Sequence, residues 1–180
     1  FVGYLPNADD VTPDTSLGLD DMFEVVRKAN EDYQSLQEKK EKLKKKTEEL
    51  RARQQVIAPF RPLNCDLHKV LHYRYITYRF GRIAVEFYHK MQKYLMDDLN
   101  AIFVEGDRDE SFVYGAYFVS PGEAQKVDAV FRSLHFERIE LKDEFEGTPA
   151  YAYQSLEREI ARINLEIEDL DKEAGEMLSD

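Results

Sequence analysis

His68 and His72 stand four residues apart, the spacing at which two imidazoles on one helical face can share a metal ion. No third ligand stands near them in sequence, and His72 falls in an aromatic run that reads as a strand, so no metal site is expected. His89 and His135 are single residues in helical patterns and read as edge positions. Cys65 is the sole cysteine and has no evident His partner. This excludes an intrachain disulfide and a cysteine-based zinc site, argues against a catalytic thiol, and fits a reducing compartment. The 36 acidic residues fall mostly on polar helix faces, whereas general acid–base work needs a pair held in defined geometry. No G-x-S-x-G, H-E-x-x-H or glycine-rich phosphate loop occurs. The expectation is a non-enzyme with no catalytic, metal or cofactor-binding residues.

The same residue types make sense as architecture. Gly147-Thr148-Pro149 reads as a helix start: Gly147 turns the chain, the Thr148 hydroxyl caps free N–H groups, and Pro149 suits the first helical position. Downstream, Leu156, Ile160, Ile163, Ile167, Leu170, Ala174 and Met177 recur at alternating steps of four and three, the seam of a coiled coil. From Thr148 to Ser179 such a helix is about 48 Å long. An earlier stretch repeats the pattern with Met22, Val26, Ala29, Tyr33, Leu36, Leu43, Leu50 and Ile57. Lys40, Thr47 and Gln54 interrupt it and weaken every other layer. Asp20 or Asp21 is the expected cap of this first helix, and Pro59 and Pro62 end it. The two helices are expected to pair antiparallel, with Met22 near or beyond the end of the second. The basic run Lys39 to Lys46 then lies opposite the acidic run Glu166 to Glu173. That run reads as a solvated face paired with its neighbour rather than as a site for an acidic or membrane partner.

Between the helices the pattern is β-α-β-β-α-β. "LHYRYITYRFG", "NAIFVEG", "SFVYGAYFVS" and "ERIEL" read as strands. Helical spacing joins Val85, Tyr88, Met91, Leu95 and Leu99, and again Ala124, Val127, Val130, Phe131 and Leu134. The predicted class is α+β: a ferredoxin-like lobe inserted in a long antiparallel helical coiled-coil hairpin. The predicted divisions are an extended N-terminal tract at 1–18, a first coiled-coil helix at 19–58, the lobe at 62–145 and a second coiled-coil helix at 148–180.

The strand order is shared with RNA-recognition domains, and Tyr73, Tyr75, Tyr114 and Phe118 form a candidate lobe interface, an aromatic sheet face. The flank "GDRDES" is net acidic where those domains carry a basic residue and glycine, and the net charge of -11 argues against nucleic acid as a partner. No run approaches the roughly 20 apolar residues of a membrane span, and no signal-peptide pattern is present. The chain begins at Phe1 and stops inside a helical pattern at Asp180, which reads as a fragment of a longer protein.

Three runs carry a resemblance: "YRFGRIAVEFY", "VYGAYFVSPGEAQKVDAVFRSLHFERIEL" and "EFEGTPAYAYQSLEREIARINLEIEDL". With their "RFGRI" strand end, "V-x-x-x-F-x-S-L-x-F-E-R-I" helix-to-strand run and "EGTP" helix start, they resemble the soluble half of subunit I of prokaryotic V-type (A-type) ATP synthases, the counterpart of eukaryotic V-ATPase subunit a. The resemblance covers most of the chain but does not place Phe1 to Gly18. It implies a non-catalytic stator element linking the membrane sector to the peripheral stalks and supporting ATP-coupled proton or sodium transport. It further implies a location on the cytoplasmic side of the cell membrane, within a membrane complex. The implied partners are peripheral-stalk subunits E and G, with the central-stalk cap (the C/d polypeptide) as a further candidate. The membrane ring is reached through a half of the family's subunit not contained here, so no proton-path residue carries over and no direct membrane contact is implied. Self-association through an exposed seam is a further expectation. The alternative is a coiled-coil adaptor with an RNA- or peptide-binding α/β head.

Overall fold

The computed structural model describes residues 8–142 and 145–179, the side chains of 8–17 and 94–97 excepted. In chain order the elements are α1 (Ala8–Ile57), a 3-10 turn (Ala58–Phe60), α2 (Leu67–Leu71), β1 (Thr77–Ala84), α3 (Val85–Asp97), β2 (Ala101–Arg108), β3 (Phe112–Val119), a second 3-10 turn (Pro121–Glu123), α4 (Ala124–Ser133), β4 (Glu137–Arg138) and α5 (Pro149–Ser179). They divide into two compact units, one of Phe1–Thr47 with Ile163–Asp180, the other Glu48–Arg162.

The first unit is helical. Its α1 segment corrects one expectation: residues 8–18 are helical rather than extended, and Asp20 and Asp21 lie inside the helix instead of capping it. Helix formation is costly to nucleate and cheap to propagate, so the strong downstream pattern carries the helix through Pro13 and Gly18. Residues 1–7 of the expected tract lie outside the described residues.

The second unit is built on a four-stranded sheet of order β2-β3-β1-β4, every neighbouring pair antiparallel. β1 and β3 pair over their whole length, Thr77 opposite Val119 and Ala84 opposite Phe112. The β2–β3 turn is tied by Asp109, whose carboxylate accepts from the N–H groups of Ser111 (2.8 Å) and Phe112 (2.7 Å). Those two bonds hold the Asp109 carboxyl below the usual carboxylate range.

Alternation along the strands gives the sheet two faces. Ile83, Val113, Tyr117 and Val119 face α3 and α4, where they pack with Tyr88, Met91, Val127, Phe131 and Leu134. Rings dominate this core: Tyr117 stacks on Phe131 at 3.8 Å, and Phe136 closes edge-on over both. Phe80 and Tyr114 point the other way and meet Phe60 edge-on at 5.4 and 6.3 Å. Ile57, Phe60, Leu63, Leu67, Val70 and Phe145 are likewise buried.

Two strand expectations need correction. "LHYRYITYRFG" is a strand only from Thr77. Its start is diverted because Asp66 caps α2, its side chain accepting from the Lys69 N–H at 3.0 Å, while Leu67 and Val70 bury one face of that turn. "ERIEL" pairs only through Glu137 and Arg138 opposite Arg82 and Gly81, with the Ile139 N–H still reaching Phe80 O at 2.8 Å.

Candidate functional site

The seam of the first unit can be followed residue by residue. Leu36 and Thr47 of α1 are buried, and Tyr33, Lys40 and Leu43 are half-buried. Ile163 and Ala174 of α5 are buried and Ile167 and Leu170 half-buried, while Met177 is exposed. Burial fades toward the start of α1 and the end of α5 alike, so those ends lie together and the helices run antiparallel. Lys40 Nζ meets Asp171 Oδ1 at 2.5 Å, and this hydrogen bond raises the Lys40 pKa. Counting eight residues from Asp171 to Ser179 puts the end of α5 opposite about residue 32 of α1. Beyond that point Met22, Val26 and Ala29 have the seam spacing but are exposed, because nothing described lies against them.

The interruptions each find a partner. Lys40 reaches the rim carboxylate of Asp171. Thr47 donates its hydroxyl to the Leu43 carbonyl at 3.0 Å, so a polar seam position leaves no bare donor. In the second unit Gln54, almost fully buried, donates Nε2 to the Glu157 carboxylate. Leu50, Ile57, Leu156 and Ile160 are buried around it. Sequence reasoning flagged these polar layers but missed their partners. Only the facing charge runs signalled one of them.

The start of α5 is capped. Gly147 takes a positive φ of 73°, the Thr148 Oγ1 accepts from the Tyr151 N–H at 3.2 Å, and Pro149 is the first helical residue. The Gly147 carbonyl accepts from the Leu67 N–H at 2.8 Å, which ties this cap to α2.

The candidate aromatic face is only partly assembled. Tyr114 and Phe118 lie on the sheet face opposite α3 and α4, both half-buried; Arg82 donates to the Tyr114 hydroxyl at 3.4 Å and Tyr78 meets Phe118 edge-on at 4.2 Å. Tyr73 and Tyr75 precede β1, pack on each other at 6.3 Å and are exposed, so they are not part of the sheet. Missed from sequence was an open groove of about 460 Å³ at this end of the face, lined by Ile76, Leu99, Ile102 and Phe118 among others.

The other groups considered for chemistry have structural surroundings. His68 and His72 rings lie 4.6 Å apart, but His72 Nδ1 is taken up by the His68 carbonyl at 2.8 Å. Among the described residues no three His, Cys, Asp or Glu side chains cluster as metal ligands do. Burial and then Asp66 push the Cys65 thiol up, the reverse of activation. Tyr117 donates to Asp128 at 2.5 Å, and Arg79 holds the other carboxylate oxygen at 3.3 Å. Burial followed by this bond raises the Tyr117 hydroxyl pKa, and at 1% exposure no substrate reaches it.

The class defined is thus an α+β protein with long helices and a four-stranded antiparallel sheet. Among the described residues no helix is long and apolar enough to cross a membrane. A crystal structure of the cytoplasmic N-terminal domain of subunit I, homolog of subunit a, of V-ATPase is similar over 76% of this chain and 48% of that chain, at 14% identity and a TM-score of 0.49. No family model and no curated protein matches the chain.

Proposed function

We propose that the chain is a non-catalytic stator element of a rotary V-type ATPase or ATP synthase, in which a ferredoxin-like lobe and a coiled-coil hairpin hold peripheral-stalk subunits E and G. The observation that carries this reading is the meeting of the motif residues. Gly81 and Arg82 of "RFGRI" pair with Arg138 and Glu137 of "HFERI", and Arg82 Nε reaches Glu137 Oε2 at 2.6 Å. Gly81 is required there, since a Cβ would come within 2.5 Å of the Phe136 ring. Two of the three segments that carry the resemblance thus lie side by side in one sheet, which supports reading them together. The β2-β3-β1-β4 order with two helices on one face supports the ferredoxin-like description.

Physical design supports the role. A paired helix with a dry seam resists bending because bending strains both backbone ladders and the packing between them. Such an element transmits force and offers surface. The location that goes with it is the cytoplasmic side of a membrane complex, with the C/d central-stalk cap a further candidate partner and ion transport occurring elsewhere in the assembly. A second reading, a peptide-binding head, is favoured by the open apolar groove at Ile76, Ile102 and Phe118. The test is anisotropy of the labelled chain titrated with purified E–G heterodimer. Micromolar or tighter binding supports the stator. Absence of binding, with an apolar extended peptide held in an Ile102→Asp-sensitive manner, overturns it in favour of the second reading.

A further inference from the structure

The two edges of the sheet are finished differently. β4 forms one of them with only Glu137 and Arg138, and a short, charged edge resists further pairing. β2 forms the other. Its second half carries Glu105, Asp107 and Arg108 and is broken by a register shift between Glu105 and Arg108, which protects it in the same way. Its first half has neither device. Residues 101–104 are uncharged and pair in regular register with residues 119–116 of β3. In such a ladder alternate residues turn their N–H and C=O toward the neighbour, and those between point outward. Among the described residues no hydrogen bond reaches the outward groups of 101–104. Ala101 and Phe103 pack toward the α3–α4 core. Ile102 turns to the opposite face, stands across from Phe118 and is 67% exposed. It borders the open groove of about 460 Å³ shared with Ile76 and Leu99, none of whose lining is charged. Asp98 before the strand and Asp107 near its end are exposed and have no ion-pair partner among the described residues.

We propose that this half of β2 is a docking edge for one extended segment of another polypeptide, which joins the sheet as a further strand, with apolar side chains at alternate positions and Lys or Arg at its ends. The backbone selects the conformation. A row of N–H and C=O groups spaced for a strand is satisfied by an extended chain lying about 4.8 Å away, and not by a helix, whose own backbone groups are already paired. The side chains select the pattern. Alternation sets every second residue of the segment on the Ile102 side, at the mouth of the uncharged groove. Charge selects the ends, since Asp98 and Asp107 flank the apolar run and attract cations. A second copy of the chain is the poorer occupant, because each copy carries a net charge of -11. Strand docking at this edge goes beyond the stator reading and does not depend on whether E–G heterodimer binds the chain.

The experiment is anisotropy of a labelled synthetic peptide, alternating valine and threonine with a lysine at each end, titrated with the full 180-residue chain. The expected result is saturable binding that Ile102→Asp weakens at least about tenfold while its thermal melt matches the parent. Two further peptides carry N-methyl groups on the valine amides or on the threonine amides. One of them loses binding at least about tenfold and the other keeps it, because a strand pairs along one edge. Asp98→Lys combined with Asp107→Lys weakens the lysine-ended peptide and strengthens its glutamate-ended counterpart, each at least about threefold. Hydrogen exchange slows on binding at alternate amides within 101–104, those outside the ladder, and not at the amides between them. Absence of saturable binding up to about 1 mM overturns the proposal. So does equal binding of both methylated peptides, since side chains alone would then hold the segment. A chain that dimerises through β2, with Ile102→Asp restoring the monomer, overturns it in favour of a second copy. None of these readouts involves E–G heterodimer, so failure here and failure of the stator reading are told apart.

Discussion

Replacing Ile163 and Ile167 with aspartate separates the helical unit from the lobe energetically. Ile163 is 7% exposed and Ile167 half-buried. Loss of their burial costs about 3 kcal/mol for the first and roughly half that for the second. Carrying carboxylates into an apolar seam also favours opening, because they keep their hydration only when the seam parts. About 4.5 kcal/mol from lost burial alone is roughly two-thousandfold in the opening equilibrium. A helix released from its neighbour has little stability of its own in water, so the released segments fray. The assay is native-state hydrogen exchange read by residue. Amides of Leu36–Thr47 and Ile163–Ala174 should lose protection by up to that factor, while β1 and β3 amides keep theirs. Equal loss of protection in β1 and β3 would refute the view that the units are separately stabilised.

Three further predictions concern the lobe and the start of α5. Gly81→Ala forces its Cβ into the Phe136 ring and the Glu137 carbonyl, and should cost about 1–3 kcal/mol in urea denaturation with loss of the Ile139 amide protection. Tyr117→Phe removes the bond to Asp128 and should cost about 1.5–3 kcal/mol at neutral pH. Because the folded pKa values of Tyr117 and Tyr88 are raised, the latter to about 12, both by burial first, their contribution is fully present below pH of about 10 and is lost as pH rises. Chemical denaturation at rising pH should therefore show stability falling above pH of about 10, less steeply in Tyr117→Phe. Thr148→Ala strips the cap from the Tyr151 N–H and should lower stability by about 1 kcal/mol, while Thr148→Ser restores most of it in thermal melts.

How much of this was legible in sequence depends on how local each cause is. The positions Leu36, Leu43, Leu50, Ile57, Leu156, Ile160 and Ile163 announce a face because helix geometry repeats within seven residues. The satisfaction of Lys40 and Gln54 does not, since Asp171 and Glu157 lie more than a hundred residues away and either could have pointed to water. Tyr73 and Tyr75 illustrate a conflict between two local signals. Alternating aromatics favour a strand, whereas the Asp66 cap with Leu67 and Val70 favours a helical turn. Burial of Leu67 and Val70 decided for the turn. At the start of α1, Pro13, Gly18 and the acids at 20 and 21 all favour a boundary by propensity, yet a helix nucleated elsewhere runs through them. β4 is short because only Glu137 and Arg138 pair with β1, an outcome set by how the chain leaves Phe136 rather than by the β-forming run around Ile139.

The central claim, that this chain is a passive structural partner of a peripheral stalk, is tested most directly by co-elution of the chain with the E–G heterodimer in the presence of a labelled RNA pool. The account predicts a stalk complex with micromolar or tighter affinity and no RNA in the protein peak. Salt-sensitive RNA co-elution with no stalk complex would contradict it and assign the function to the aromatic end of the lobe.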